Sequence, residues 1–390
     1  MSALPTPLPA PGTPPAQFNW LTQSYESPPE QLSLPLPPPG DVILPDDGSV
    51  FLLATENSAQ LLVSGFGLFL GRKSGRLVVR KSGKPCAEVP ILRLQEVIIA
   101  SRGVSFSSDL IEELCSRGIR LSCLSASGQP LALITSPLLS ATVETRRAQL
   151  AAFSSPAGAD IARWIVAGKL HNQEKLLLYF AKSRAGSPRE KLRAVAAQIR
   201  AMRRQALAVP GDSASSVRAP LMGIEGASAR LYWTRIADML PQSNGFEFRR
   251  HVSPPDPVNA ALNYAYGILY SHVWGAVMNA GLEPFAGFLH VDRSGKPSLV
   301  LDLVEEFRQP VVDRPLFSWL NKGGALSLHG GLLDAPSREN VASRVMARLQ
   351  SAEPHRGKSH EIRSIIQMQA RLAASAVRGL RPYRPFAFKW

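Results

Sequence analysis

"IRLSCLSASGQPLALITSPLLSATVETRRAQLAAF", residues 119–153, changes its period part-way along. Up to Ile134 it reads as two short strands, "IRLSCL" and "PLALI", joined by the turn-forming "SASG". After Pro137 the apolar residues fall three and four apart, the spacing of one face of an α-helix. The switch divides the chain into an earlier β part and a later helical part, an α+β arrangement.

Working back from the switch, "VFLLATE", "AQLLVSG", "RLVVRKSG", "VPILRL" and "EVIIAS" are rich in Val, Ile and Leu and are punctuated by "KSG" and "SG" turns. They predict a compact β domain over residues 47–135. One helix interrupts it, "SSDLIEELCSRG", with Ser107 or Ser108 at its start and Gly118 at its end. The run "GFGLFLG" at 65–71 has the look of a phosphate-binding loop, but "RKSGRLVVRKSGK" follows where a helix would be required, so its glycines belong to hairpins. Residues 1–46 hold 13 of the 33 prolines and few charges. Such a segment lacks backbone donors and predicts a disordered, polyproline-like extension.

Working forward, residues 136–390 predict a larger helical domain. "ADIARWIVAGKLHNQEKLLLYFAKSR" and "PREKLRAVAAQIRAMRRQAL" carry basic residues between apolar ones, and "VPGDSASSVRAP" at 209–220 reads as a polar loop. Further helices are expected at "LMGIEGASARLYWTRIADML", "DPVNAALNYAYGILYSHVWGAVMNAG", "PSRENVASRVMARLQS" and "SHEIRSIIQMQARLAASAVRG". Tyr264 and Tyr266 are expected to pack a helix interface. The tail "RPYRPFAFKW" is expected to fold back or to meet a partner.

The charge is unevenly placed. The chain of 390 residues carries 44 Lys+Arg against 30 Asp+Glu, a net of +14. Residues 1–140 hold 10 basic and 11 acidic residues, and residues 141–390 hold 34 and 19. Within 163–204 there are eleven basic residues and two acidic ones, a concentration that favours a polyanionic partner. Lys169, Arg203, Arg204, Arg230, Arg249 and Arg250 are the candidate phosphate contacts. The three cysteines have no metal-ligand spacing, nothing resembles a secretory signal, and the apolar runs are shorter than the roughly 20 residues of a membrane helix. A cytoplasmic protein with no membrane contact is expected.

The chemistry concentrates in "GFLHVDRSGKPSLVLDLVEEFR", residues 287–308. With a helix starting near Ser298, Asp302, Glu305 and Glu306 fall at spacings of three and four, and Val300, Val304 and Phe307 can face a core. A divalent cation would relieve the repulsion among these carboxylates. His290, across the turn, is open to two readings, a structural histidine at the edge of the core or a metal ligand. Imidazole with carboxylates suits Mn²⁺, tolerates Mg²⁺ and can also hold zinc. Glu225 lies between Gly223 and Gly226 in a helical segment, where each glycine costs about 1 kcal/mol relative to alanine. Close approach of another helix or of a phosphate would offset that cost. Taken alone, Glu225 reads as a surface residue or a helix partner of Arg230.

"LMGIEGASARLYW", "FEFRRHVSPPDPVNAALNYAYGILY", "GFLHVDRSGKPSLVLDLVEEFR" and "VVDR" occur in an order and spacing that resemble the CRISPR-associated spacer-acquisition integrase family, also described as a metal-dependent DNA endonuclease. The likeness runs over about residues 50–390 and includes "LLATENSAQLLVSGFGLFL" of the β part. It implies a β-sandwich-like domain followed by an all-α catalytic domain, and a homodimer assembling on a small ferredoxin-like partner protein. It also implies double-stranded DNA as substrate and Mg²⁺ or Mn²⁺ held by Glu225, His290 and Glu305, with Asp302 behind these ligands or in place of the last. The reaction expected is attack of a DNA 3′-hydroxyl on a phosphodiester of a CRISPR repeat. Hydrolysis of branched or single-stranded DNA and a non-catalytic DNA-binding scaffold are the alternatives.

Overall fold

The computed structural model describes residues 17–19, 24–26, 42–45, 49–55, 58–125, 127–128, 130–136, 143–252, 254 and 256–389. The chain divides into two units, residues 1–40 and 41–390. Of the first, two strands are described, β1 (Gln17–Asn19) and β2 (Ser24–Glu26), paired antiparallel. The other residues of the proline-rich extension up to 41 lie outside the described residues. Near its expected end, Val42 already packs against the β core and Ile43 exchanges backbone hydrogen bonds of 3.2 and 3.0 Å with Glu88.

The β domain is two sheets. Strands β3 (Val50–Thr55), β4 (Ser58–Val63), β8 (Leu94–Ile99), β10 (Arg120–Leu124) and β11 (Pro130–Ile134) form the order β11-β10-β8-β4-β3. Strands β5 (Leu68–Lys73), β6 (Arg76–Lys81), β7 (Lys84–Pro90) and β9 (Val104–Phe106) form β7-β6-β5-β9. Both hairpins of the smaller sheet turn on two residues with positive φ, Ser74–Gly75 and Ser82–Gly83. Such turns match the right-handed twist of paired strands. Helix α1 (Ser108–Ser116) starts after Ser107 and ends at Gly118, as its flanking residues predict.

The unbroken apolar runs of the larger sheet have a simple cause. Leu61, Val63, Val97, Ile99 and Leu121 point into the sandwich, while Leu62, Ile98 and Leu124 point into the helical core. A sheet buried on both faces needs apolar residues at successive positions.

The helical domain comprises α2 (Val143–Ala152), α3 (Pro156–Lys182), α4 (Gly186–Leu207), α5 (Ala214–Met239), α6 (Pro257–Asn279), α7 (Ser298–Val304), α8 (Arg314–Leu320), α9 (Ala335–Gln350) and α10 (Ile362–Val377). Helices α3, α4 and α5 pack side by side, and α6 lies against α7, α9, α10 and β10. Helix α6 is buried around most of its circumference, which agrees with an apolar sequence lacking a polar face. Asp256 caps it, accepting from Asn259 N–H at 2.8 Å. The "SASG" turn rests directly on α6: a Cβ on Gly267 would lie 1.6 Å from the Gly128 carbonyl oxygen. Tyr264 and Tyr266 are buried in this core, the packing role expected of them.

Two expectations change. Residues 214–220 are not loop, because Ser213 and Ser216 form a reciprocal cap that starts α5 early and Pro220 sits within the helix. Residues 359–361 belong to a hairpin of β14 (Ala352–His355) and β15 (Lys358–Glu361), turned at Arg356–Gly357 by the same pair of positive φ angles as in the β domain. A second small hairpin, β12 (Leu328–His329) with β13 (Leu332–Leu333), turns at Gly330–Gly331. No helix among the described residues is long and apolar enough to cross a membrane.

Candidate active site

Asp302, Glu305 and Glu306 share one short segment but do three different things. Asp302 is fully buried at the middle of α7. Its Oδ2 accepts the backbone N–H groups of Phe288 (2.6 Å) and Leu289 (3.0 Å), and its Oδ1 accepts those of His290 backbone (2.9 Å) and ring Nδ1 (2.7 Å). One carboxylate therefore fixes the whole "GFLH" loop. A carboxylate oxygen accepts, so Nδ1 donates to Asp302 and Nε2 is the ring atom left to offer a lone pair. Asp302 thus orients His290, and its four accepted bonds leave it saturated.

Glu306 points the other way. It accepts from Tyr383 hydroxyl at 2.9 Å, from Gln369 Nε2 at 3.1 Å and from the Phe386 backbone N–H. Burial pushes its carboxyl up to about 7 although these donors pull it down. The aromatic tail folds back on this residue and on α3, where Phe388 N–H donates to Asn172 Oδ1 at 2.9 Å.

Glu305 faces the space between α3 and α5. Its Oε1 lies 3.1 Å from Arg308 Nη2, and its Oε2 accepts no directed hydrogen bond but lies 2.7 Å from Lys169 Nζ. The same ammonium donates to Glu225 Oε1, so Lys169 joins the two glutamates. Burial favours the neutral acid at Glu305, but Arg308, Lys169 and His290 more than offset it and hold the carboxyl well below the usual range. Burial likewise works against the Lys169 ammonium, and Glu305 and Glu225 overcome it, raising its pKa. Arg308 is fixed in turn by stacking over Tyr266, whose hydroxyl, like that of Tyr232, donates to buried Asp313 of "VVDR". Burial moves Asp313 up to about 6 against the pull of both tyrosines and of Arg308 and Arg249.

Among the described residues, no three His, Cys, Asp or Glu groups close into a ready coordination sphere. What the structure brings together is Glu225 and Glu305 on one cation, with His290 near enough to act on Glu305 electrostatically. The donor set fits a divalent cation: two carboxylate oxygens already converge on a positive charge, and the tethered imidazole offers a free lone pair. Gly223 and Gly226 correct one expectation. Both are exposed with nothing within 4 Å of an added Cβ, so no neighbouring helix accounts for them.

The six candidate phosphate contacts separate. Lys169 is buried in the ion pairs just described and does not present its charge to solvent. Arg249 is tied to Asn259 Oδ1 (2.9 Å), Asn263 Oδ1 (2.6 Å) and the Arg250 carbonyl, and it stacks over Tyr266, so it builds the loop before α6. Arg203 donates to His171 Nδ1 and lies 3.9 Å from Glu174 Oε2. Arg204, Arg230 and Arg250 are exposed. Reading the sequence missed the bridging role of Lys169, the clamp made by Arg308, and His251, whose imidazole is held down to about 4 by partial burial and by Arg249 and Arg308 despite the nearby Glu305. The "RRH" string was the available signal for His251.

Residues 61–343 match the family model described as CRISPR associated protein Cas1. The chain belongs to the Cas1 family. The CRISPR-associated endonuclease Cas1 1 of Archaeoglobus fulgidus is 35% identical over 347 residues, covering 85% of this chain and all of that protein. Among solved structures, a casposase bound to integration product superposes with a TM-score of 0.70 at 21% identity, covering 84% of this chain and 93% of that one. A Cas6-RT-Cas1–Cas2 complex superposes with a TM-score of 0.71 at 21% identity, covering 87% of this chain and 37% of the other. These likenesses bear out a sheet domain followed by a helical domain as a Cas1 fold.

Proposed function

We propose that this Cas1 chain is a metal-dependent DNA integrase of CRISPR adaptation, acting on double-stranded DNA as a homodimer assembled on a small ferredoxin-like partner. The observation that carries the reading is the convergence of Glu225 and Glu305 on one buried cation beside a histidine whose tautomer is set by Asp302. Family membership supports the setting in CRISPR adaptation.

Glu225, Glu305 and Nε2 of His290 are the residues that would hold Mg²⁺ or Mn²⁺. When bound, the ion polarises the target phosphate and stabilises charge on the leaving oxygen. The 3′-hydroxyl of the captured DNA forms a bond to phosphorus as the bond to the target strand's 3′-oxygen breaks. One phosphodiester replaces another, so no serine or cysteine nucleophile is required. Arg308 keeps Glu305 ionised and pointed into the site, and Asp302 keeps His290 from turning away. Exposed Arg204, Arg230 and Arg250 bind phosphates, and replacing the three by Gln reduces the slope of log affinity against log salt by about one for each phosphate no longer neutralised.

The test uses the purified protein with its small partner, end-labelled duplexes ending in a 3′-hydroxyl or a 3′-deoxy group, a repeat-containing plasmid, and Mn²⁺ or Mg²⁺. A covalent plasmid-linked product formed with the hydroxyl end alone and lost in Glu225→Ala is expected. Trimmed or nicked DNA irrespective of that hydroxyl would establish hydrolysis instead, and tight binding with no product would establish a scaffold.

A further inference from the structure

Glu225 and Glu305 share a cation that the chain itself supplies. Lys169 reaches them from the middle of α3, is only 8% exposed, and places its ammonium 2.7 Å from Glu305 Oε2 while donating to Glu225 Oε1. We propose that this ammonium is an internal placeholder which a divalent cation must displace, so that metal and Lys169 occupy the two glutamates in alternation. The inference rests on the metal-site reading above.

Three observations lead to it. Oxygen–metal distances for a small divalent ion are about 2.1 Å, so an ion seated on these two oxygens would fall inside the contact radius of Nζ. The two cannot share the seat. Second, Glu305 has Arg308 as another partner at 3.1 Å, whereas among the described residues Lys169 alone is in ion-pair contact with Glu225. Without a cation two carboxylates face each other, and with one the site is assembled before any metal arrives. Third, the occupant is a lysine. A compact, strongly hydrated charge on a flexible stem can withdraw from two oxygens in a way that a forked guanidinium resists. The placeholder lowers the affinity for metal while keeping the carboxylates in register, so firm retention of the ion awaits the further ligands that DNA phosphates provide.

Wild type, Lys169→Met and Glu225→Ala, all full length and stripped with EDTA, are titrated with Mn²⁺ and free ion is followed by electron paramagnetic resonance. Lys169→Met should bind roughly tenfold or more tightly than wild type, the scale of a coupling between competing ligands. Its metal-free Tm should be lower than that of wild type, and Mn²⁺ should raise it by more. Wild type supplies an independent readout through amine-modifying footprinting with mass spectrometry: Lys169 should be protected in EDTA and become modified when Mn²⁺ is added. Unchanged or weaker affinity in Lys169→Met, or continued protection of Lys169 in metal-loaded wild type, would overturn the placeholder while Glu225-dependent binding left the metal site standing. No bound Mn²⁺ in any of the proteins would overturn both.

Discussion

Replacing Asp302 by Asn should damage the protein in two separable ways. The carboxylate accepts four N–H groups, from Phe288, Leu289, and the backbone and ring of His290. An amide keeps one accepting oxygen and turns an NH₂ group toward the other pair of donors. With the NH₂ toward Phe288 and Leu289, two of the four bonds are lost and two donors face a donor; with it toward His290, the backbone bond is lost and the ring keeps a bond only by moving its proton. At about 1.5–3 kcal/mol for each buried bond to a charged group, losing two costs roughly 3–6 kcal/mol. Urea unfolding of the metal-free protein measures it. If the NH₂ faces the ring, His290 must shift its proton to Nε2, and the lone pair offered to a metal disappears. Mn²⁺ affinity should then fall about 10–100-fold, the usual effect of losing a residue that orients a ligand. A loss below about 1 kcal/mol with Mn²⁺ affinity unchanged would refute the role given to Asp302.

Gly226→Ala places a methyl in open space on the exposed face of α5, so it should stabilise the fold by about 0.5–1 kcal/mol in urea. The same change should lower strand transfer if a phosphate passes over that bare surface, and full activity in the stabilised variant would remove phosphate approach as the reason for the glycine. Glu306 titrates near 7 when folded and near 4 when unfolded, so the folded state binds the extra proton between those values. Its contribution is complete below about pH 4 and is lost as pH rises through 7, at about 1.4 kcal/mol per unit. Glu306→Gln should flatten that part of the stability profile in calorimetric melts from pH 4 to 8, leaving the shallower slope due to Asp313, whose carboxyl titrates near 6. A profile identical to that of wild type would contradict the burial argument.

Much of this was legible in the strings themselves. The β-to-helix switch, the Ser-Gly hairpins, the bounds of α1 and the buried α6 follow from periodicity and turn chemistry, because each depends on neighbours within a few residues. Spacing also placed Asp302, Glu305 and Glu306 on one segment. It did not assign their directions, since a separation of one residue between Glu305 and Glu306 turns the side chains by about 100° and what each meets comes from α3, α5 and the tail. Lys169 was misread for the same reason. Within a basic stretch it looks like any other cation, and only the tertiary approach of Glu225 and Glu305, more than fifty residues away, distinguishes it. The hairpin at Arg356–Gly357 was overlooked because its four-residue strands run straight into a strongly periodic helix.

The fold-back of Tyr383 and Phe386 onto Glu306 gives the site a chronology. Glu306 is adjacent to Glu305, and two of its three donors, Tyr383 and Phe386, are added to the growing chain more than seventy residues after it. A nascent polypeptide halted near residue 380 has already made Glu225, His290 and Glu305, yet Glu306 has neither Tyr383 nor Phe386 to hold it. On the proposed reading, a chain ending there carries all three metal-binding residues while the neighbour of Glu305 lacks two of the three donors to its side chain.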